Sequence, residues 1–166
     1  GLAAGYLGRY LIFGTIALAQ ATVVGLGDLY FLKVQHAHPL QFMGTLWLTA
    51  VVFSSLLYTF IATFGNAGKA LGVLFLVLQI SGAGGSFPLA ILPSFFSSVS
   101  PFLPATHAIV ALRASIAGYS GHEYGDAMWF LASFILFAAF LGLALRPLLV
   151  RGNRRMVEKL EATKLL

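Results

Sequence analysis

The stretch from Pro88 to Leu112, PLAILPSFFSSVSPFLPATHAIVAL, decides the architecture. It is apolar enough to pass for a membrane span, yet it carries Pro88, Pro93, Pro101 and Pro104, four of the chain's six prolines, with Ser94, Ser97, Ser98 and Ser100 among them. An interior proline removes a backbone hydrogen bond and clashes with the preceding turn, and hydrocarbon offers no water to replace the lost partner. One continuous lipid-exposed helix is therefore disfavoured. The stretch reads as two short helices, Leu89 to about Val99 and Pro104 to about Ala117, meeting at Ser100-Pro101. Neither piece is long enough to cross, so the pair forms a re-entrant or interfacial hairpin.

On either side of it the chain is almost free of charge. Of 166 residues, 59% are hydrophobic and 9% charged, where soluble domains carry about 25% charged residues. The 15 charges leave gaps at 10–27, 34–68, 70–112 and 127–145, against about 20 apolar residues for a span. These numbers exclude a water-soluble globule. Six of the ten basic residues fall at or after Arg146, the pattern of a cytoplasmic flank, so the net charge of +5 gives no reason to expect nucleic acid as a partner. There is no cysteine and hence no disulfide, thiolate metal site or cysteine nucleophile. The chain opens on Gly1, which is expected of a piece of a longer polypeptide. Ala19-Gln20-Ala21 imitates a signal-peptide cleavage site, but the apolar run continues past it to Leu26.

Four spans are expected: Tyr10 to Leu26, Phe42 to Phe64, one starting near Ala70, and Ala127 to Leu145. Asp28 to Leu40 forms a polar and aromatic loop, and Gly65 to Lys69 a tight reversal. The clean part of the third span, Ala70 to Ile80, rises only about 16 Å against a hydrocarbon core of about 30 Å. That helix must extend into Gly82-Ala83-Gly84-Gly85-Ser86 or begin within the preceding turn. With both ends inside, the basic residues divide 8 inside to 2 outside, Lys33 and Arg113 being the outer pair. A five-span alternative with Pro88 to Leu112 crossing gives 7 to 3. The prolines favour four.

Few side chains suggest chemistry. Gly68-Lys69 evokes a phosphate-binding loop, but Thr63 and Ala70 stand where that motif needs glycine and a hydroxyl, so energy from ATP would have to come from another subunit. His36, His38, His107 and His122 all fall on the outer side in the four-span topology, near Asp28, Glu123 and Asp126. They could serve a metal or proton-sensing site, but contact with headgroups and water is the favoured reading. Thr45, Thr49, Ser55, Thr59 and Thr63 lie within about 120° on a helical wheel. Such a hydroxyl stripe could line a transport path, though membrane helices also use Ser and Thr for packing. Ala17, Ala21 and Gly25 make a flat strip for helix contact. Gln20 and Gln79 are amides in or beside spans, and each needs a partner. Arg113, closing the hairpin, either anchors at the interface or ties the hairpin to a headgroup, a substrate or an acid such as Glu123. No Ser/His/Asp set or paired membrane carboxylates occur, so an enzyme is not expected, nor any catalytic residue, resident metal or cofactor.

The run Leu78-Gln79-Ile80-Ser81-Gly82-Ala83-Gly84-Gly85-Ser86-Phe87-Pro88 is followed by Leu92-Pro93-Ser94-Phe95-Phe96, Ser100-Pro101-Phe102-Leu103-Pro104 and Leu112-Arg113. It resembles the C-terminal membrane region of the YhgE/Pip (phage infection protein) family. Gly82, Gly84, Gly85, Phe87, Pro88, Leu92, Pro93, Pro101, Pro104 and Arg113 carry the resemblance. That family looks like part of the wider group of ABC-2-type transporter permeases, in which a similar pattern precedes short outer-leaflet helices and a final span. The resemblance implies a protein of mainly Gram-positive bacteria with a first span and a large extracellular region upstream, and both termini cytoplasmic. A full permease of that group has about six spans and an amphipathic N-terminal helix that meets an ATPase. Four spans are counted here and no such helix precedes Tyr10.

The expectation is thus an all-α polytopic membrane bundle, 1–150, with a basic cytoplasmic tail, 151–166, in a bacterial cytoplasmic membrane. Its expected role is the permease part of an exporter of apolar or amphiphilic cargo, with a separate ATPase and assembly as a homodimer or larger. The competing role is a membrane anchor of a cell-surface protein in type VII secretion or phage entry.

Overall fold

The structure, a computed structural model, describes residues 2–119 and 121–145. The expected basic tail lies outside them. Every regular element among the described residues is helical. Helix α1, Leu2–Leu26, continues through a wide π turn, Gly27–Phe31, so the helical run passes Asp28 where the charge alone suggested a stop. Lys33 adopts a left-handed backbone (φ 49°) in the loop that follows. Helix α2, Pro39–Phe64, begins on a proline, whose fixed φ and missing N–H suit the first helical position. After one residue, Gly65 at φ 60°, α3 runs from Asn66 to Gly82. The short third span is thus lengthened mainly at its start, inside the reversal, and stops at Gly82, the first of the glycines after it.

The proline-rich stretch is broken further than expected. Its first limb is not one helix but a single 3-10 turn at Leu89–Ile91 and a short α4, Ser94–Val99, separated by extended backbone at Leu92 and Pro93. A second 3-10 turn, Ser100–Phe102, leads into α5, Pro104–Ala117, at a bend of 75°. Helix α6, Glu123–Phe140, closes the bundle and runs on as a π turn to Leu145. Three helical runs, Ala4–Phe31, Pro39–Phe64 and Glu123–Ala144, are long and apolar enough to cross a membrane; α3, with 17 residues, is shorter.

Helix α2 is central and touches α1, α3, α5 and α6. The core lies where it meets α5 and α6: Val52, Leu56, Ala108, Leu131 and Ala138, with Phe53, Phe75 and Phe134 packed against them. Small residues set the closest approaches, as expected where helices pack by shape and not by a hydrophobic drive. Ala108, Ala111 and Ala114 are the buried face of α5. Gly25 sits against Met43 and Leu46, so one end of the strip foreseen on α1 is a contact with α2.

Two ends of the bundle are distinct. At one, the connection between α1 and α2 is tied to the end of α5: Ala37 N–H donates to the Ile116 carbonyl (3.0 Å) and His38 N–H to that of Ser115 (2.9 Å). At the other lie the α2–α3 reversal, the start of α1 and the end of α6, where Gly142 packs against Tyr6. Both α3 and α5 run toward the tied end, so residues 83–103 must turn back into the bundle between them. The hairpin enters and leaves at the same end.

Candidate functional site

The junction of α3, the hairpin and α5 gathers most of the motif residues. Helix α5 starts inside the bundle, where its first backbone N–H groups have no intrahelical acceptor. Pro104, buried at the first position, has no N–H to satisfy. The next belongs to Ala105, and Leu103, at the cap position, has no side chain able to accept it. The acceptor comes from another helix: Gln79 on α3, 3% exposed, offers its Oε1 at 3.0 Å. Its Nε2 is buried without an acceptor among the described residues. Across the break, Ser100 and Thr106 share a hydroxyl–hydroxyl bond of 3.1 Å, and His107 Nε2 lies 2.8 Å from the Pro101 carbonyl.

The glycines make this junction possible. A Cβ at Gly82 would stand 2.8 Å from Leu103, and one at Gly85 2.7 Å from Ile109, so hairpin and α5 press directly on the backbone leaving α3. Gly84, at φ 70°, turns the chain there. Its carbonyl accepts a 3.1 Å bond from Arg113 Nη2. Arg113 is therefore tied to the hairpin, not to Glu123. Phe87, Pro88, Pro93 and Pro101 are exposed, and Leu92 is half-buried.

Two adjoining hollows open beside this frame. The outer, about 630 Å³, is lined by Arg113, Ser86, Phe87, Leu89, Thr106 and Val110. The inner, about 250 Å³, reaches Phe53, Leu76, Gln79 and Ile80. They share Ala83, Gly85, Ser86 and Ile109. No carboxylate occurs in the sequence between Asp28 and Glu123, so α3, the hairpin and α5, which line the hollows, carry no acid.

The hydroxyl stripe lies elsewhere, between α2 and α6. Thr45, Ser55, Thr59 and Thr63 are buried and Thr49 half-buried. Thr45 donates to Gln41, Thr49 to Thr45, Ser55 to Val52 and Thr59 to Ser55, all through carbonyls on α2 itself. Thr59 also meets Tyr6 of α1 and the Ala138 carbonyl of α6. Thr63 Oγ1 has no partner among the described residues. These hydroxyls line helix contacts and are absent from the two hollows beside the hairpin.

The histidines do not converge. His36 bonds the Val34 carbonyl, His38 packs near Tyr119, His122 precedes α6, and His107 lies deep on α5, its ring 3.9 Å from that of Phe130. His107 thus sits apart from the loops that carry the other three. No group of three or more His, Cys, Asp or Glu side chains placed to hold a metal occurs among the described residues. What the residue types alone did not show is the knot at the tied end: Gln41 donates to Tyr119 (2.8 Å), Tyr124 donates to the Gln41 carbonyl (3.1 Å), and the two tyrosines stack.

Over 140 residues, 84% of its length, the chain is 27% identical to a protein of Bacillus subtilis (strain 168) called Uncharacterized protein YhgE. The chain is thus similar to one part of that protein. Those residues make up 18% of the relative, so the chain spans less than a fifth of the YhgE protein it matches. No family model and no solved structure matches the chain.

Proposed function

We propose that the chain is the membrane module of a larger YhgE-like protein, acting as the permease part of an exporter of apolar or amphiphilic cargo. The spans are α1 with its π turn, α2, α3 and α6, with the hairpin on the outer side and both ends of the chain in the cytoplasm of a bacterial cell. One observation carries the topology: the bonds from Ala37 and His38 to Ile116 and Ser115 bring the α1–α2 and α5–α6 connections together. A five-span arrangement would set those connections on opposite sides of the bilayer.

The cargo route in this reading runs along the hairpin hollow, because the hydroxyl stripe is closed by packing. With no phosphate-binding loop in the chain, a separate ATPase of the ABC-2 kind supplies the energy. The exposed amide of Gln20, well inside α1, supports assembly as a homodimer or larger, since an unpartnered amide facing lipid costs several kcal/mol. The length of the relative favours a second reading, a membrane anchor for a cell-surface protein in type VII secretion or phage entry.

The test is reconstitution of the full-length protein in liposomes with and without its ATPase, following a fluorescent amphiphile between leaflets. ATP-dependent movement is expected. Absence of movement with every ATPase that co-purifies would abandon the permease reading for the anchor.

A further inference from the structure

We propose that the paired hollow between α3, the hairpin and α5 binds an anionic acyl-ester lipid, its phosphate on Arg113 and an ester carbonyl on Nε2 of Gln79. This deepens the permease reading by naming the class of cargo, and rests on it.

Arg113 supplies the anion-binding half. It is exposed at the rim and its guanidinium spends one donor on the Gly84 carbonyl. A guanidinium carries five N–H donors in a fixed fork suited to phosphate, and beyond the bond to Gly84 the rest have no partner among the described residues. No carboxylate lies within the 94 residues from 29 to 122 to compete for them.

Gln79 supplies the second half. Capping Ala105 requires only an oxygen, which the Gln79 carbonyl provides. The amide group adds two N–H donors that are buried and find no acceptor among the described residues, on a side chain that borders the inner hollow. A buried donor left unpaired carries its full desolvation cost, and a carbonyl brought by a ligand removes it.

One molecule can reach both groups, because Ala83, Gly85, Ser86 and Ile109 border both hollows and join the Arg113 rim to the Gln79 wall. Phe87, Leu89 and Val110 wall the outer part and Phe53, Leu76 and Ile80 the inner, so acyl chains meet mainly apolar surface, most of all in the inner part. A choline head would bring a second cation to Arg113, so the site favours phosphatidylglycerol over phosphatidylcholine.

The test uses the full-length protein in phosphatidylcholine nanodiscs with a trace of photoactivatable phosphatidylglycerol. Crosslinks are expected on α3 and α5, and Arg113→Gln should weaken capture about tenfold, the factor that loss of one charge-assisted contact gives. Gln79→Leu should also weaken it. Because that variant disturbs the α5 cap, Ile109→Trp, which fills the shared wall, provides a second reduction in a chain with Gln79 intact. Arg9→Gln, at the opposite end of the bundle, should leave capture unchanged. Equal capture of phosphatidylcholine, an unchanged Arg113→Gln, or displacement by millimolar inorganic phosphate would overturn the proposal. Binding needs no ATPase, so Arg113-dependent capture without transport would sink the permease reading alone, whereas transport of a neutral amphiphile without such capture would sink the site alone.

Discussion

Gly68, in the first turn of α3, lies so close to the Phe60 carbonyl that a methyl group at 68 would overlap it. The obstacle is backbone, which cannot swing away as a side chain would. Gly68→Ala must therefore push α3 off α2, and overpacking of this kind costs about 1–3 kcal/mol. At Gly72, one turn on, the neighbour is the Leu57 side chain at 3.2 Å, which can give way. Thermal unfolding in detergent, read by tryptophan fluorescence, should show a clear loss for Gly68→Ala and little change for Gly72→Ala. Equal effects would mean that the helical hairpin tolerates a wider crossing.

Gln79→Leu should destabilise the protein by about 1–2 kcal/mol, the range for a lost helix cap that leaves a buried donor unpaired. The damage should be local. Hydrogen exchange at Ala105 and Thr106 should quicken while the α2–α6 contact stays protected; protection that survives at Ala105 would show that another group caps α5.

Much of this fold can be read in the sequence because apolar length and proline chemistry act locally. The gaps between charges locate the long helices, and the prolines break the stretch after α3 into short pieces. Their ends are less legible: a π turn carries α1 past Asp28, and Asn66 starts α3 inside the glycine-rich reversal, since neither requires a marked residue. The site was half visible. Gln79 stood out as an amide in need of a partner, but the partner is the backbone N–H of Ala105, 26 residues away, and no side-chain pattern advertises a backbone donor. Arg113 likewise bonds the Gly84 carbonyl, a backbone partner that was not among the headgroup, substrate or acid such as Glu123 that its charge suggested. Pro104 was the available signal, because a proline opening a buried helix leaves the next N–H to be capped from outside.

If the hydroxyl stripe serves packing, its loss should affect stability and not cargo. Thr59→Val removes one hydroxyl that meets Tyr6, Ser55 and Ala138 while keeping the volume. A cost of about 1 kcal/mol is expected, with lipid movement in liposomes unchanged. A large fall in transport without loss of stability would put the path through the bundle.

The absence of native cysteine permits a direct topology test in intact cells with a membrane-impermeant thiol reagent. Gln35 and His122 are exposed in connections between helices, and Asn66 is exposed at the start of α3. Under the four-span reading, Gln35→Cys and His122→Cys label and Asn66→Cys does not. Labelling at Asn66 and His122 but not at Gln35 would establish the five-span order instead.

The prolines themselves can be tested in the same background. Pro93 lies in the extended break before α4, Pro101 in the second 3-10 turn and Pro104 at the first position of α5. In a continuous helix across 88–117, an interior proline costs about 3 kcal/mol, which is why the chain folds back. Replacing all three with leucine removes that cost, adds three backbone donors that only a helix can satisfy in hydrocarbon, and yields an apolar run long enough to cross. The segment should then span, carrying His122 to the cytoplasmic side. In the triple variant, labelling of His122→Cys should fall while that of Gln35→Cys persists. If His122 stays accessible and the protein remains as stable, then the glycine contacts at 82 and 85 hold the hairpin without its prolines, and the break is set by packing.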